Sequence, residues 1–179
     1  MTRSVGLEAA AWWRELQSRE VAGGRVPGDR GALARLRRCA TVMEAAAEPA
    51  TLRLCRRLGA DQRDLDRVAL LAAVLAHVRT ETFDVVARQI GVQRDGTAVM
   101  SDLRFRRLLQ ADTLDERLTG FRRLVALAGR RLNVADIATG LWHWDDERTR
   151  RRWIYAYHNV PDFQPSADTT APATEDTSA

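Results

Sequence analysis

Glycine and proline cut this chain into segments of roughly 10 to 18 residues in which apolar residues recur three and four apart. That spacing marks one face of an α-helix, and almost nothing alternates with the period of two that a half-buried strand requires. The expected fold is therefore all-α, a bundle of about eight to nine helices.

The first helix covers about Leu7 to Arg19 and stops before Gly23, Gly24 and Pro27. Asp29 caps a second, in which Leu33, Leu36, Ala40 and Met43 form a buried stripe. Pro49 opens a third, closed near Gly59. The most apolar helix runs from about Asp64 to Val78, with Leu65, Val68, Ala69, Ala72, Leu75 and Ala76 in register, and belongs at the centre. His77 beside it reads as a packed or rim histidine with no catalytic task. Thr82 caps a short helix ending at Gly91, and the loop from Val92 to Ala98 is the expected boundary between helical subdomains 1–98 and 99–158. Ser101 caps the next helix, and Thr113 with Glu116 has the pattern of a capping box for a longer one stopped by Gly129. Asn133 caps a helix carrying Val134, Ile137, Leu141 and Trp144, and a last one runs from about Asp146 to Tyr157. The stretch 159–179, with three of the five prolines and six Ser or Thr, reads as a disordered acidic tail.

Composition removes several function classes. All 28 basic residues are arginine, so a Walker-type lysine, a Schiff base and pyridoxal chemistry are excluded. Cys39, Cys55 and the scattered His77, His143 and His158 support neither a disulfide framework nor a metal site. There is no H-E-x-x-H and no G-x-S-x-G, and the carboxylates fall mostly at helix starts, where capping explains them. We expect no catalysis and no cofactor. No apolar run approaches the roughly 20 residues of a membrane span, and the start lacks a signal-peptide layout, so the chain reads as cytoplasmic.

Charge is unevenly placed. Residues 159–179 hold Asp162, Asp168, Glu175 and Asp176 and no arginine, leaving 28 arginines against 20 acids, a formal +8, on residues 1–158. At 100° per residue, Arg35 and Arg38 point away from the apolar stripe of their helix with Arg37 on its flank; Arg104 and Arg107 share one side of theirs. Arg123 lies nearly opposite the apolar face of the capping-box helix with Arg122 beside it, and Arg148 and Arg152 point outward together. Arg130 and Arg131 form a further doublet, and Arg150 projects among Trp153, Ile154 and Tyr157 as a stacked or ion-paired structural residue. Outward guanidinium groups on successive helices suit a polyanion, because each forks onto phosphate oxygens and releases counterions. With no repeated recognition helix, we expect backbone contacts, mainly to single strands, with little base reading.

Two other features compete. Trp144 and Trp153 sit on core faces, whereas of the adjacent Trp12 and Trp13 one must leave the core of a helix and is expected to meet a partner protein. The stretch FDVVARQIGV from Phe83 to Val92 looks like half of a helix-turn-helix, which would make the chain a DNA-binding transcriptional regulator if a recognition helix followed Gly91. Gln93, Arg94, Asp95 and Gly96, the residues in that place, are a poor helix start.

The segment from Asp102 to Tyr157 resembles the small subunit of the type I-E CRISPR Cascade surveillance complex, the CasB family. The matching elements are LRFRRLLQAD from Leu103 to Asp112, FRRLV from Phe121 to Val125 and LNVADIATGLWHW from Leu132 to Trp144; then comes a basic helix ending in aromatics. Upstream, Trp12 to Leu16 and ALARLRRC from Ala32 to Cys39 also look like the family's start. The resemblance implies a non-enzymatic helical subunit, present as a pair, that touches CRISPR RNA, target DNA and the backbone and large subunits. It also implies a basic surface that holds the target and displaced non-target strands and stabilises the R-loop. Arg37, Arg38, Arg104, Arg122 and Arg123 fall on positions where the family is basic, and Arg88 on a basic position before the variable loop. With the outward Arg35, Arg107, Arg131, Arg148 and Arg152, these are the candidate nucleic-acid contacts.

Overall fold

A computed structural model describes residues 4–160 apart from 23, 92 and 94. Ten α-helices are present among them: α1 (Val5–Leu16), α2 (Arg30–Arg38), α3 (Val42–Ala46), α4 (Pro49–Leu58), α5 (Leu65–Leu75), α6 (Val86–Ile90), α7 (Asp102–Leu109), α8 (Leu114–Leu127), α9 (Val134–Trp142) and α10 (Glu147–Tyr157). The expected tail lies outside the described residues, save its first two positions.

The all-helical expectation holds, and α5 is the centre. Eight consecutive residues, Val68 to Leu75, are at most 1% exposed, as a helix apolar all round demands. Helices α2, α3, α4, α8 and α9 pack around it, α1 lies across α9 and α4, and α10 covers α6. Buried residues from both sides of the 92–98 loop share one hydrophobic core.

Local chemistry sets most of the boundaries. Asp29 accepts from the Ala32 N–H at 2.8 Å, Asn133 from Asp136 at 3.0 Å and Asp146 from Arg148 at 2.9 Å. Thr113 and Glu116 complete the capping box, satisfying amides that the helix itself cannot. Pro49 is in the first turn of α4, and Gly59, at φ +64°, ends it in the left-handed region that glycine enters freely.

Several expected elements change. The stripe through Ala40 and Met43 breaks, because α2 ends at Arg38 and Thr41 caps the new helix α3; this rephasing leaves Met43 71% exposed. Thr82 is not a cap: its N–H pairs with the Leu132 carbonyl at 3.0 Å, and α6 begins at Val86, whose N–H is held by Asp136 at 2.8 Å. Trp144 lies beyond the last residue of α9 but is fully buried. The Gly/Pro stretch after α1 contains an antiparallel pair, β1 (Arg19–Val21) with β2 (Gly24–Val26), and a two-residue parallel pair joins β3 (Thr80–Glu81) to β4 (Arg131–Leu132).

The helix-turn-helix reading loses its second half, since the helix after α6 begins only at Asp102. Both tryptophans of α1 are buried, at 2% and 4% exposure, because α1 is covered on more than one side. Trp12 Nε1 donates to the Ala50 carbonyl at 3.1 Å and Trp13 Nε1 to Val78 at 3.3 Å, so neither is the expected partner contact.

The C-terminal half is locked by aromatics. Phe121, Trp144 and Trp153 meet edge to face with centroids 4.8 to 5.7 Å apart, the arrangement that ring quadrupoles favour. Tyr157 stacks on Phe105 at 4.0 Å, and its hydroxyl donates to the Met100 carbonyl at 2.6 Å. Removing that hydroxyl strands a buried acceptor, so Tyr157→Phe is expected to cost about 1 to 3 kcal/mol, read as a lower denaturant midpoint with an unchanged slope.

Candidate nucleic-acid interface

Eight of the eleven candidate arginines, Arg38, Arg88, Arg104, Arg107, Arg123, Arg131, Arg148 and Arg152, have exposed side chains. None of them has an ion pair among the described residues. The pairing falls largely on arginines that the helical angles did not select. Arg57 bridges Glu8 and Glu15, Arg67 and Arg117 share Asp145, and Arg106 takes Asp102 at 2.8 Å. The Arg117 hydrogen bond holds the Asp145 carboxyl below the usual range, and the fields of Arg117, Arg67 and the half-buried Arg150 add to it.

Three candidates differ. Arg35 is paired with Glu48 at 2.9 Å. Arg122 turns inward, donating from Nη1 to the Cys39 carbonyl at 2.7 Å and from Nη2 to Leu36 at 3.1 Å. It therefore ties α8 to the C-terminal end of α2, where unsatisfied carbonyls collect. Arg37 donates from Nε to the Ala76 carbonyl at 2.6 Å, at the end of α5. Burial lowers the pKa of both groups, and for Arg37 the charges of Arg79 and Arg130 push the same way.

The structure brings some candidates together. Arg107 of α7 and Arg123 of α8 line one open groove of about 560 Å³ with Gln110, Thr119, Gly120 and the carboxylates of Asp115 and Glu116, which are engaged by the Val42 N–H and by the Asp112 and Thr113 N–H groups. The helices approach closely where Gly120 faces Leu108, and a Cβ there would lie 2.7 Å from the leucine methyl. Arg88 lines a separate depression of about 460 Å³ with Gln89, Gln93, Val85 and Val99. Gln89 Nε2 donates to the Arg131 carbonyl at 2.7 Å, tying α6 to β4. Arg148 and Arg152 share the outer side of α10.

A further basic concavity joins residues that sequence spacing did not connect. Arg30, Arg37 and Arg79 line a cleft of about 530 Å³ with Leu16, Gln17, Ser18 and Leu33. Arg30 opens α2, and Arg79 follows α5 at the start of the β3 ladder. Two positions before Arg79 is His77, half-buried with an unpartnered Nε2. Burial, with the nearby charges of Arg122, Arg37 and Arg130, lowers its pKa to about 4.

Among the described residues, no group of three or more His, Cys, Asp or Glu could hold a metal, and no helix is long and apolar enough to cross a membrane. A family model described as CRISPR-associated protein Cse2 matches residues 32–158. The chain belongs to the Cse2 family. Cse2 is the CasB of type I-E systems, so the resemblance carried by LRFRRLLQAD, FRRLV and LNVADIATGLWHW holds for this Cse2-family chain. Its fold is similar to that of a chain in the crystal structure of E. coli Cascade bound to a PAM-containing double-stranded DNA target. The TM-score is 0.59 at 21% identity, covering 84% of this chain and 94% of that one. No curated protein matches it.

Adjacent Arg122 and Arg123 of this Cse2-family fold are expected to behave oppositely. Arg122→Ala removes two charged hydrogen bonds to half-buried carbonyls and is expected to cost about 1.5 to 3 kcal/mol, while Arg123→Ala stays within about 0.5 kcal/mol; chemical denaturation reads both. His77 adds a pH dependence. Its folded pKa of about 4 lies below the usual 6.5, so the unfolded chain takes up the proton first. The associated stability is complete above the unfolded pKa and is lost as pH falls from 6.5 towards 4. His77→Gln is expected to narrow the fall in Tm across that window.

Proposed function

We propose that this Cse2-family chain is the non-enzymatic, nucleic-acid-binding small subunit of a type I-E Cascade complex acting in the cytoplasm in antiviral defence. Its basic helix faces hold the target and displaced non-target strands and stabilise the R-loop. Its partners are CRISPR RNA, target DNA, the backbone and large subunits, and a second copy of itself. The observation that carries this reading is the set of eight exposed arginines without an ion pair among the described residues. Uncompensated guanidinium groups on a folded surface repel one another, and a polyanion removes that cost while releasing counterions. The E. coli assembly that contains a chain of this fold is bound to DNA, which agrees with that partner.

The contacts are to phosphates, because in an RNA-guided complex base pairing reads the sequence and protein holds the strands. Arg107 and Arg123 are the core of the proposed surface, since one groove presents both; Arg38, Arg88, Arg104, Arg131, Arg148 and Arg152 extend it. Arg122 is left out of this set because its guanidinium is engaged with Cys39 and Leu36.

Binding of a single-stranded oligonucleotide to the purified protein is expected to weaken by about 0.7 log units per phosphate contact for each log unit of salt. Charge reversal at Arg107 together with Arg123 is expected to abolish that binding while Tm stays near wild type. Salt-insensitive binding, or none at low salt, overturns the reading. Selection from random duplexes that returned one sequence motif would favour a transcriptional regulator instead.

A further inference from the structure

We infer that the cleft lined by Arg30, Arg37 and Arg79 is a phosphate-binding site that seats one backbone phosphate of a single nucleic-acid strand, separate from the Arg107–Arg123 groove. The inference rests on the nucleic-acid reading above and adds a site to it.

The lining is rich in donors. Arg30 and Arg79 have no ion pair among the described residues, and Arg37 uses only its Nε, on the Ala76 carbonyl. Its two terminal nitrogens stay available. Gln17 also lines the cleft, with its unpartnered Nε2 buried beneath the surface. Ser18 Oγ already accepts the Gly28 N–H at 3.2 Å, so its own proton is left to donate. Among the described residues no carboxylate lines the cleft. Three guanidinium groups and a hydroxyl thus present donors and await acceptors. A ligand rich in acceptor oxygens and carrying negative charge answers all of them, and phosphate matches the guanidinium fork.

The electrostatics agree. Arg79 and Arg130 disfavour the charge on Arg37, and Arg37, Arg122 and Arg130 help keep His77 neutral. Positive charge is gathered here, and among the described residues none of the three lining arginines has an ion pair, an arrangement typical of functional sites. The cleft volume of about 530 Å³ is within the range of small-ligand pockets, large enough for one nucleotide unit. Leu16 and Leu33, core residues that are almost wholly buried, form its floor.

The test uses the full chain with Arg30→Gln and Arg79→Gln combined, keeping Arg37 because it also holds the end of α5. Anisotropy of a labelled single-stranded oligonucleotide is followed across salt concentrations. Loss of one phosphate contact is expected to weaken binding about fivefold at 0.1 M salt and to reduce the log–log salt slope by about 0.7. In parallel, inorganic phosphate at matched ionic strength is expected to raise the Tm of wild type and not of the variant. Should the pair fail to fold, Gln17→Glu, nearly isosteric and acidic, is expected to give the same two losses. If wild type binds the strand and the variant keeps its affinity and slope, the cleft is overturned and the proposed function stands. If wild type binds no strand, the proposed function falls with the strand as ligand. Equal phosphate shifts in wild type and variant then remove the anion site too, while a shift confined to wild type keeps it.

Discussion

Covering α5 on every side is the condition that the rest of the molecule meets. A run of eight buried residues has no solvated face, so other helices must be laid around it, and each presents one apolar stripe inward and a polar side outward. The outer sides are where the arginines lie. A single requirement, removing Val68 to Leu75 from water, thereby produces a helical body with charge displayed around it. At about 25 cal/mol per Å² of apolar surface, that burial is also the dominant favourable term in folding.

Within that body arginine does two different jobs. Arg122, Arg37 and Arg117 donate to carbonyls at the ends of helices or in the turns after them, substituting for missing backbone donors. Others pair with acids and are electrically quiet. The remainder form a surface whose charge is uncompensated among the described residues. The absence of lysine sharpens this division, because a planar fork can clamp a carbonyl or a phosphate with the same geometry, and position alone decides which.

Helix identity was legible because its determinants are local. Asp29, Thr113 with Glu116, Asn133 and Asp146 cap as their side-chain chemistry predicts, and Pro49 and Gly59 bracket α4. The sites were less legible because their determinants are not local. Arg122 and Arg123 differ by one position, and only the arrival of Cys39 and Leu36 separates a strut from a surface charge. Trp12 and Trp13 both enter the core because α1 has neighbours on more than one side, a fact no single-helix projection contains. The β3–β4 pair is two residues long, too short to print any alternation. Arg30 and Arg79 share a cleft only after α2 and the end of α5 have docked.

The segment between α6 and α7 leaves and returns at almost one point. Met100 N–H bonds the Ile90 carbonyl at 3.0 Å, and the Tyr157 hydroxyl holds the Met100 carbonyl. Gly91 is pressed against the Tyr157 backbone so closely that a side chain has no room. The chain between Gly91 and Met100 is thus tethered at both ends, and lengthening it adds only the logarithmic cost of a larger ring. Exposed Gln93, Asp95 and Thr97 can therefore change in charge without disturbing the core, whereas Ala98 packs against it.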